Sequence, residues 1–236
     1  MDDHLGIRAR RREKRRRCPN SPPSVDPPVF DAAFRARLAD LFAWRRDVRR
    51  FRADPVDEAV LRTCLDLAAL APSVGNSQPW RFVRVSDAGR RAAVAASFER
   101  CNAAARAGYA DERGALYARL KLAGLREAPV HLAVFCDAAT EAGHGLGRAT
   151  MPEMLRYSVA ACIHAFWLAA RAHGLGVGWV SILEPAVVTR TLDVPDAWDL
   201  IAYLCVGHPV EVHADPELVR HGWQERCPET VRLHER

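Results

Sequence analysis

The stretch from Pro152 to Val180 limits the possible folds more than any other part of the sequence. Its first part has the pattern of a long helix, which Pro152 opens and Gly174 ends. Its second part, within VGWVSI, has the pattern of a strand. Its most apolar part, Val159 to Val180, contains His164, Arg171, His173 and several glycines, which makes it unsuitable for a bilayer span. We therefore expect a soluble protein in which a long helix leads into a strand.

Helical and strand patterns alternate irregularly along the chain, which favours a mixed layered fold over strict βαβ repetition. Helices are predicted at 30–44, at 54–73 with Asp54 or Asp57 as N-cap and Pro72 as stop, over most of 88–125 with interruptions at Gly108 and Gly114, and at 184–192. Strands are predicted at 80–85, 130–137 and 198–207. With 236 residues, 49% of them hydrophobic, the chain can form one sizeable core.

The positive charge is concentrated at the N-terminus. Residues 1–28 contain eight basic and four acidic residues, so they hold four of the five net positive charges. An arginine-rich run followed by a proline-rich stretch has too few apolar side chains to fold, and we expect a disordered tail over 1–28. Residues 29–236 form the expected folded domain and are nearly neutral. This argues against a nucleic-acid partner, although a weak contact of the tail with a polyanion stays open.

Seven cysteines, without C-x-x-C spacing, and scattered histidines predict neither a disulfide framework nor a metal site. Several of the cysteines stand in apolar runs, which is typical of reduced core thiols in a cytoplasmic protein. The N-terminus has no apolar segment after its arginines, so we expect neither a secretory signal nor attachment to a membrane.

Two polar segments are candidates for binding. RRDVRR, residues 45–50, places Asp47 among four arginines, and arginine forks bind phosphate bidentately. PSVGNSQPW, residues 72–80, offers donors and acceptors that can pair with the edge of a flat heterocycle. Each also has an ordinary interpretation, as a solvated basic face with an ion-paired Asp47 and as a simple turn. Together with the glycine-flanked strand, they favour a phosphorylated ring cofactor.

The glycines of GLGVG, residues 174–178, do not form a dinucleotide-binding fingerprint. That fingerprint requires G-x-G-x-x-G between a strand and a helix, whereas here G-x-G-x-G stands between a helix and a strand. We expect a helix C-cap at Gly174 and, at the other glycines, close approach of the backbone to something flat or bulky.

The combination of R-R-x-x-R, P-S-x-x-N-x-Q-P-W and a long helix running into GLGVGWVS resembles the FMN-dependent nitroreductase family over residues 30–227. Within that family, three features resemble the 5,6-dimethylbenzimidazole synthase branch. They are Asp47 where ordinary nitroreductases commonly carry Ser, YARLKLAGLREAPV at 117–130, and WLAARAHGLGVGWVSI at 167–182. The last two segments are long and specific, and Asp47 stands where the resemblance implies that the reaction takes place.

The resemblance implies an α+β fold with a central mixed sheet flanked by helices, and an intertwined homodimer with flavin sites at the subunit interface. It also implies that reduced FMN is the substrate and molecular oxygen the oxidant. Members of the branch make 5,6-dimethylbenzimidazole, the lower base of vitamin B12, and release erythrose 4-phosphate. A separate flavin reductase would supply the reduced FMN.

The resemblance also implies which residues bind the flavin. They are Arg45, Arg46, Val48 and Arg49 at the phosphate and ribityl chain, Ser73, Gly75, Asn76 and Gln78 at the ring, Trp179 and Val180 along the isoalloxazine, Arg113 and Leu122 in a segment around 107–125 that covers the flavin, and Arg226 near the phosphate. The covering segment would retain the intermediates, since early release gives only flavin and hydrogen peroxide.

Asp47 and Ser181 are the catalytic candidates. A carboxylate beside a phosphate dianion is repelled by roughly 1 kcal/mol or more, so we expect Asp47 to point toward the ribityl chain and ring. There it can act as a base while the ribityl C1' carbon is oxidised and becomes C2 of the benzimidazole. We expect the neighbouring arginines to lower the pKa of Asp47 and Ser181 to hydrogen-bond near flavin N5 and C4a.

Two alternatives stay open. An NAD(P)H-dependent nitroreductase, or quinone or enone reductase, would keep its FMN intact and would need an open ring face for the nicotinamide. A flavin-storage or nucleic-acid-associated protein would act through the basic tail. The synthase hypothesis predicts, in contrast, that deletion of residues 1–28 leaves the FMN chemistry unchanged.

Overall fold

A computed structural model describes residues 27–227 and 233–236. Over these residues the α-helices are α1 (Ala32–Trp44), α2 (Glu58–Ala68), α3 (Ala88–Ala107), α4 (Asp111–Arg119), α5 (Met154–Ala172), α6 (Pro185–Leu192) and α7 (Glu217–Arg220). The strands are β1 (Trp80–Arg84), β2 (Val130–Asp137), β3 (Gly176–Val180) and β4 (Trp198–Gly207). The disordered tail predicted for 1–28 lies, except for its last two residues, outside the described residues.

Capping groups fix the ends of the predicted helices. The side chain of Asp57 accepts a hydrogen bond from the backbone N–H of Ala59 at 2.7 Å, so Asp57 and not Asp54 is the N-cap of α2. Gly174 follows α5 with a φ of 76°, a left-handed conformation that glycine adopts without steric cost. The predicted C-cap function of Gly174 is confirmed.

The four strands form one sheet in the order β1-β2-β4-β3, and each adjacent pair is antiparallel. The mixed sheet expected from the resemblance is therefore antiparallel in its named strands. Its parallel component is a single bridge between Asp47 and Val177. Strand β3 lies at one edge of the sheet, and this edge receives the segment that contains Asp47.

The core lies on both faces of the sheet. Helices α2 and α5 pack on one face and helices α3 and α6 on the other. In β2, Val134 faces α5 while Phe135 faces the opposite layer, which explains why this strand is apolar almost throughout. Phe166 and Ile163 of α5 are completely buried.

The chain departs from the predicted pattern in three places. Gly114 lies inside α4 and does not interrupt it; a Cβ there would lie 2.9 Å from the carbonyl oxygen of Tyr109, so close backbone approach explains the glycine. The helix predicted to reach residue 125 ends at Arg119, and 120–129 is irregular. Helix α7 had no clear periodic signal because it is only one turn long.

The described cysteines are free, and Cys64, Cys136, Cys162 and Cys205 are buried, which confirms the prediction of core thiols for these positions. Burial raises the pKa of Cys136 to about 11 and that of Cys162 to about 12, so both are protonated and unreactive at neutral pH. No helix within the described ranges is long and apolar enough to span a bilayer.

Helix α1 exposes its apolar side chains. It packs against α5, yet none of its residues is buried. Five large apolar side chains on or just before it expose between 38% and 55% of their surface: Phe30, Phe34, Leu38, Phe42 and Trp44. Since an isolated helix of this length is marginally stable in water, its apolar face is suited to burial against a further surface.

Candidate functional site

The candidate site is built on the free edge of β3. The backbone N–H of Val48 donates to the carbonyl of Val177 at 3.0 Å, so residues 45–50 run along this edge. A Cβ at Gly178 would lie 2.2 Å from the carbonyl oxygen of Val48, and one at Gly176 would lie 2.8 Å from its side chain. The glycines of GLGVG thus permit close backbone approach, as predicted, and the bulky group they accommodate is Val48 of the same chain.

The Asp47 carboxylate completes the hydrogen bonding of this edge. Its Oδ1 accepts from the backbone N–H of Trp179 at 2.9 Å, and its Oδ2 accepts from Nε of Arg49 at 2.7 Å. The Asp47 side chain keeps 31% of its surface exposed, and the Arg49 side chain 11%. The ion pair of the ordinary interpretation is therefore present, but it is only partly solvated, because the Arg49 side chain is largely buried and that of Asp47 is partly buried.

Burial raises the pKa of Asp47 above its ordinary value. The charge of Arg49 and the hydrogen bond from Trp179 act in the opposite direction but do not outweigh burial, and the nearby Glu217 adds to the increase. The expectation that the arginines would lower this pKa is wrong in its net direction. The expectation took account of the arginine charges but not of the water that Asp47 loses when it is buried against the edge of β3.

Arg45, Arg46 and Arg226 form a cluster of like charge. The guanidinium of Arg45 lies 4.6 Å above the Trp167 ring, and Nε of Arg46 donates to the carbonyl of Ala214 at 2.6 Å. Burial lowers the pKa of both arginines, and the charge of Arg226 lowers it further. Neither Arg45 nor Arg46 forms an ion pair with a described residue. Their positive charge thus lacks a direct anionic partner, and the cluster fits the phosphate group of FMN.

The loop 73–78 is held in an unusual conformation. Gly75, Asn76 and Gln78 have φ values of 58°, 54° and 46°, and Oγ of Ser73 accepts from the backbone N–H of Gln78 at 3.0 Å. A Cβ at Gly75 would lie 2.9 Å from the carbonyl oxygen of Gly143. Asn76 and Gln78 are exposed, and Nε2 of Gln78 donates to Oδ1 of Asn76 at 3.4 Å. The other donors and acceptors of these two side chains are available to a ligand.

The structure does not bring this loop to the arginine cluster within one chain. The loop is fixed near the start of α5, where Val74 N–H donates to Oγ of Ser158 at 3.0 Å, whereas Arg45 stacks on Trp167 of the same helix. Nine residues of helix separate these two points by about 13 Å. The predicted ring-binding and phosphate-binding residues of one chain therefore lie at different positions along α5.

The other predicted residues fall into two groups. Trp179 contacts Asp47 directly, Val180 is buried next to it, and Ser181 is exposed just after the end of β3. Leu122 lies beside Lys121, whose carbonyl accepts from Nη1 of Arg49 at 2.9 Å. Arg113 interacts with Trp223: its Nη1 donates to the carbonyl of Trp223 at 2.8 Å, and its guanidinium lies 4.9 Å from the centroid of the ring.

Sequence reasoning missed three residues of this region. Trp167 supports Arg45, Glu217 accepts a hydrogen bond from Arg50 at 3.0 Å, and Trp223 contacts α4. The surplus arginine in RRDVRR was a signal that an acid elsewhere must balance it, but nothing in the pattern connects Arg50 with a glutamate 167 positions later.

Comparison with known proteins decides the family. The model of the nitroreductase family matches residues 42–208, which include the edge segment, the loop 73–78 and β3. The chain belongs to the nitroreductase family. A family member from Rhodospirillum rubrum, named 5,6-dimethylbenzimidazole synthase, is 63% identical over 204 residues, 86% of this chain and 97% of that protein. A protein of the same name from Rhodobacter capsulatus is 49% identical over 84% of this chain and 96% of its own length.

A solved structure supports the nitroreductase fold. Oxidized iodotyrosine deiodinase, crystallised with FMN and 3-iodo-L-tyrosine, superposes with a TM-score of 0.67 at 26% sequence identity. The match covers 84% of this chain and 99% of that one. The nitroreductase-like α+β fold expected from the sequence is thereby confirmed.

Proposed function

We propose that the protein converts reduced FMN and molecular oxygen into 5,6-dimethylbenzimidazole and erythrose 4-phosphate. The observation that carries the proposal is the 63% identity, over nearly the whole length, with a protein named for this product. In the proposed reaction the ribityl C1' carbon becomes C2 of the benzimidazole, and the remaining four ribityl carbons leave with the phosphate. The pyrimidine part of the isoalloxazine leaves as a third, oxygen-containing fragment. FMN is therefore a substrate and is not regenerated.

The arginine cluster is the proposed phosphate site. Arg45, Arg46 and Arg226 would bind the phosphate oxygens, and Val48 would hold this segment against β3. Arg49 has a different function in this proposal, because its donors bind Asp47 and the carbonyl of Lys121. Arg49 would position Asp47 beside the ribityl chain. Through its bond to Lys121 it would also position the next residue, Leu122, there.

Asp47 is the proposed base. A raised pKa makes a carboxylate a stronger base than an ordinary aspartate, provided that the site operates above that pKa. Asp47 would remove a proton from the ribityl C1' carbon during its oxidation. Ser181, exposed at the end of β3, would donate a hydrogen bond near N5 and C4a of the ring, and Trp179 and Val180 would flank the ring. The bound flavin supplies the reaction with oxygen, and the chain supplies orientation and proton transfer.

A second copy of the chain is the proposed source of the ring-binding loop. Ser73, Gly75, Asn76 and Gln78 would then reach the ring bound at the other copy's arginine cluster. One observation supports the homodimer: the exposed apolar side chains of α1, which are suited to burial against a second chain. The covering segment, with Arg113 and Leu122, would exclude water from the site.

The proposal is tested with purified protein, FMN, a separate flavin reductase with its nicotinamide, and air. 5,6-Dimethylbenzimidazole should form and be identified by chromatography and mass. The variant Asp47→Ser should still consume reduced FMN without forming the product, and Ser181→Gly should form less of it. If FMN survives many turnovers while NADPH and a nitro or quinone acceptor are consumed, the protein is an ordinary nitroreductase.

A further inference from the structure

Helix α4 is fastened to the C-terminal arm, residues 208–227, through aromatic contacts. The Trp223 ring centroid lies 5.4 Å from that of Tyr109 and 5.9 Å from that of Tyr117, both in edge-to-face geometry. The rings of Tyr109 and Tyr117 stack on each other with centroids 5.0 Å apart. Such geometries are the preferred arrangements of aromatic pairs.

A cation strengthens this aromatic cluster. The Arg113 guanidinium lies 4.9 Å from the centroid of the Trp223 ring, and Nη1 of Arg113 donates to the backbone carbonyl of Trp223 at 2.8 Å. Arg113 thus contacts both the side chain and the backbone of one arm residue. Its guanidinium is directed at the arm and not at the flavin contacts expected from the resemblance.

Within the described part of the chain, the other attachments of α4 are few. Tyr117 is the one buried residue among those of α4 whose side chains the structure describes. Its hydroxyl donates to Oδ1 of Asn102 in α3 at 2.7 Å. Further along the covering segment, the carbonyl of Lys121 accepts from Arg49. The Trp223 contacts are therefore a principal attachment of the first half of the covering segment.

The arm itself is anchored on the segment that contains Asp47. Arg50 donates to Glu217 at 3.0 Å and to Glu211 at 3.2 Å, and its backbone carbonyl accepts from Val210 N–H at 3.1 Å. The Glu217 side chain is only 7% exposed. Arg226, three residues after Trp223, belongs to the arginine cluster. One arm thus connects the proposed phosphate site with α4, which belongs to the segment proposed to cover the flavin.

We propose that Trp223 is a positioning residue that holds α4 closed over the flavin site from the anchored C-terminal arm. The inference rests on the proposed function and adds a residue that the sequence pattern does not indicate. With α4 released, reduced FMN would meet oxygen in an open site. It would then lose two electrons and two protons to oxygen, giving oxidised FMN and hydrogen peroxide in place of the benzimidazole.

The first test needs no activity. In Trp223→Ala, hydrogen–deuterium exchange of the backbone amides at 111–119 should be faster than in the unaltered protein by about tenfold or more, because the aromatic contacts are lost. Amides of β2 should exchange at an unchanged rate, which shows that the fold is intact. Trp223→Phe should restore most of the protection, and truncation of the exposed Tyr157 to alanine should not affect 111–119. Unchanged exchange at 111–119 in Trp223→Ala with an intact β2 overturns the inference.

The second test measures how reduced FMN is partitioned. Trp223→Ala should form several-fold less 5,6-dimethylbenzimidazole and correspondingly more hydrogen peroxide per reduced FMN consumed, and Trp223→Phe should lie close to the unaltered protein. Faster exchange at 111–119 with an unchanged product yield overturns the positioning role. Absence of the product from the unaltered protein contradicts the proposed function instead, and the exchange experiment still tests the attachment of α4.

Discussion

The Asp47 carboxylate accepts from a strand N–H and from a guanidinium, but its burial has the larger effect on its pKa. Burial raises its pKa, and Arg49 partly offsets the increase. If Asp47 is the base, product formation needs its ionised form. The rate should therefore fall as pH decreases through a pKa above the ordinary aspartate value.

Replacement of Arg49 by Gln separates the effect of burial on the pKa of Asp47 from the effect of Arg49. Loss of the charge and of the Nε donor removes two of the three effects that lower the pKa of Asp47 and leaves only the hydrogen bond from Trp179, so the acidic limb of the pH–rate profile should move to higher pH. The profile is measured as the rate of 5,6-dimethylbenzimidazole formation with saturating reduced FMN. Replacement of the exposed Arg100 by Gln is the control and should leave the limb in place. A limb that does not move in Arg49→Gln contradicts the assignment of Asp47 as the base.

His131 predicts a pH dependence of stability. Its side chain is 1% exposed and lies 2.9 Å from the Tyr203 hydroxyl, and burial lowers its pKa to about 4. Because the unfolded chain binds a proton near pH 6.5 and the folded chain does not, stability is lost as pH falls from 6.5 toward 4. The full loss is about 3 kcal/mol. Urea titrations at several pH values give the free energy of unfolding as a function of pH. His131→Gln should make this dependence flatter, whereas His173→Gln, at an exposed position, should not. An equally steep dependence in His131→Gln and the unaltered protein contradicts the prediction.

At the residue scale, the sequence allowed the arginines and Asp47 to be assigned to one site, since they are consecutive. It did not allow the direction of the Asp47 pKa shift to be predicted. That direction depends on burial against β3, and the residues that create the burial lie about 130 positions away.

The edge of β3 is the element on which the site depends, and Gly178 tests it. In Gly178→Ala, the new Cβ would collide with the Val48 carbonyl at 2.2 Å, so residues 45–50 must move away from the strand. We expect FMN to bind about tenfold more weakly or worse, equal to about 1.4 kcal/mol, by fluorescence titration. Gly89→Ala, whose Cβ would meet only the side chain of Asp87, is the matched control. Unchanged affinity in Gly178→Ala contradicts the account of this edge.

Most elements could be predicted because their apolar periods are clear, as in α5 and β2. The exceptions have physical causes. Gly114 was expected to interrupt a helix but lies inside α4, where its lack of a side chain permits close approach to the carbonyl of Tyr109. The C-terminal arm and α7 are held by ion pairs and aromatic contacts to distant segments, which leave no periodic pattern in the sequence.

For the molecule as a whole, the proposal places two copies of the chain at each site. The loop 73–78 and the arginine cluster are fixed at different points of α5, and in the proposal the loop of one chain meets the arginine cluster of the other. The resemblance implied this arrangement, whereas periodicity and composition could not, since they describe one chain at a time.

Subunit complementation tests this arrangement. Asp47→Asn chains and chains with both Asn76→Ala and Gln78→Ala should each be inactive. Refolded together in equal amounts, half of the dimers are hybrid, and each hybrid contains one site without a substitution. Product formation should then recover to roughly a quarter of that of the unaltered protein. No recovery, in mixtures that size-exclusion chromatography with light scattering shows to be dimeric, would mean that each chain supplies its own loop.

The central claim is that FMN is consumed as a substrate, and isotopic labelling measures this most directly. Reduced FMN that carries ¹³C at the ribityl C1' carbon is incubated with the protein in air, and the products are analysed by mass spectrometry. The account predicts 5,6-dimethylbenzimidazole that contains one ¹³C atom and unlabelled erythrose 4-phosphate, in equal amounts. Recovery of all the label in intact FMN after many turnovers of NADPH would contradict it.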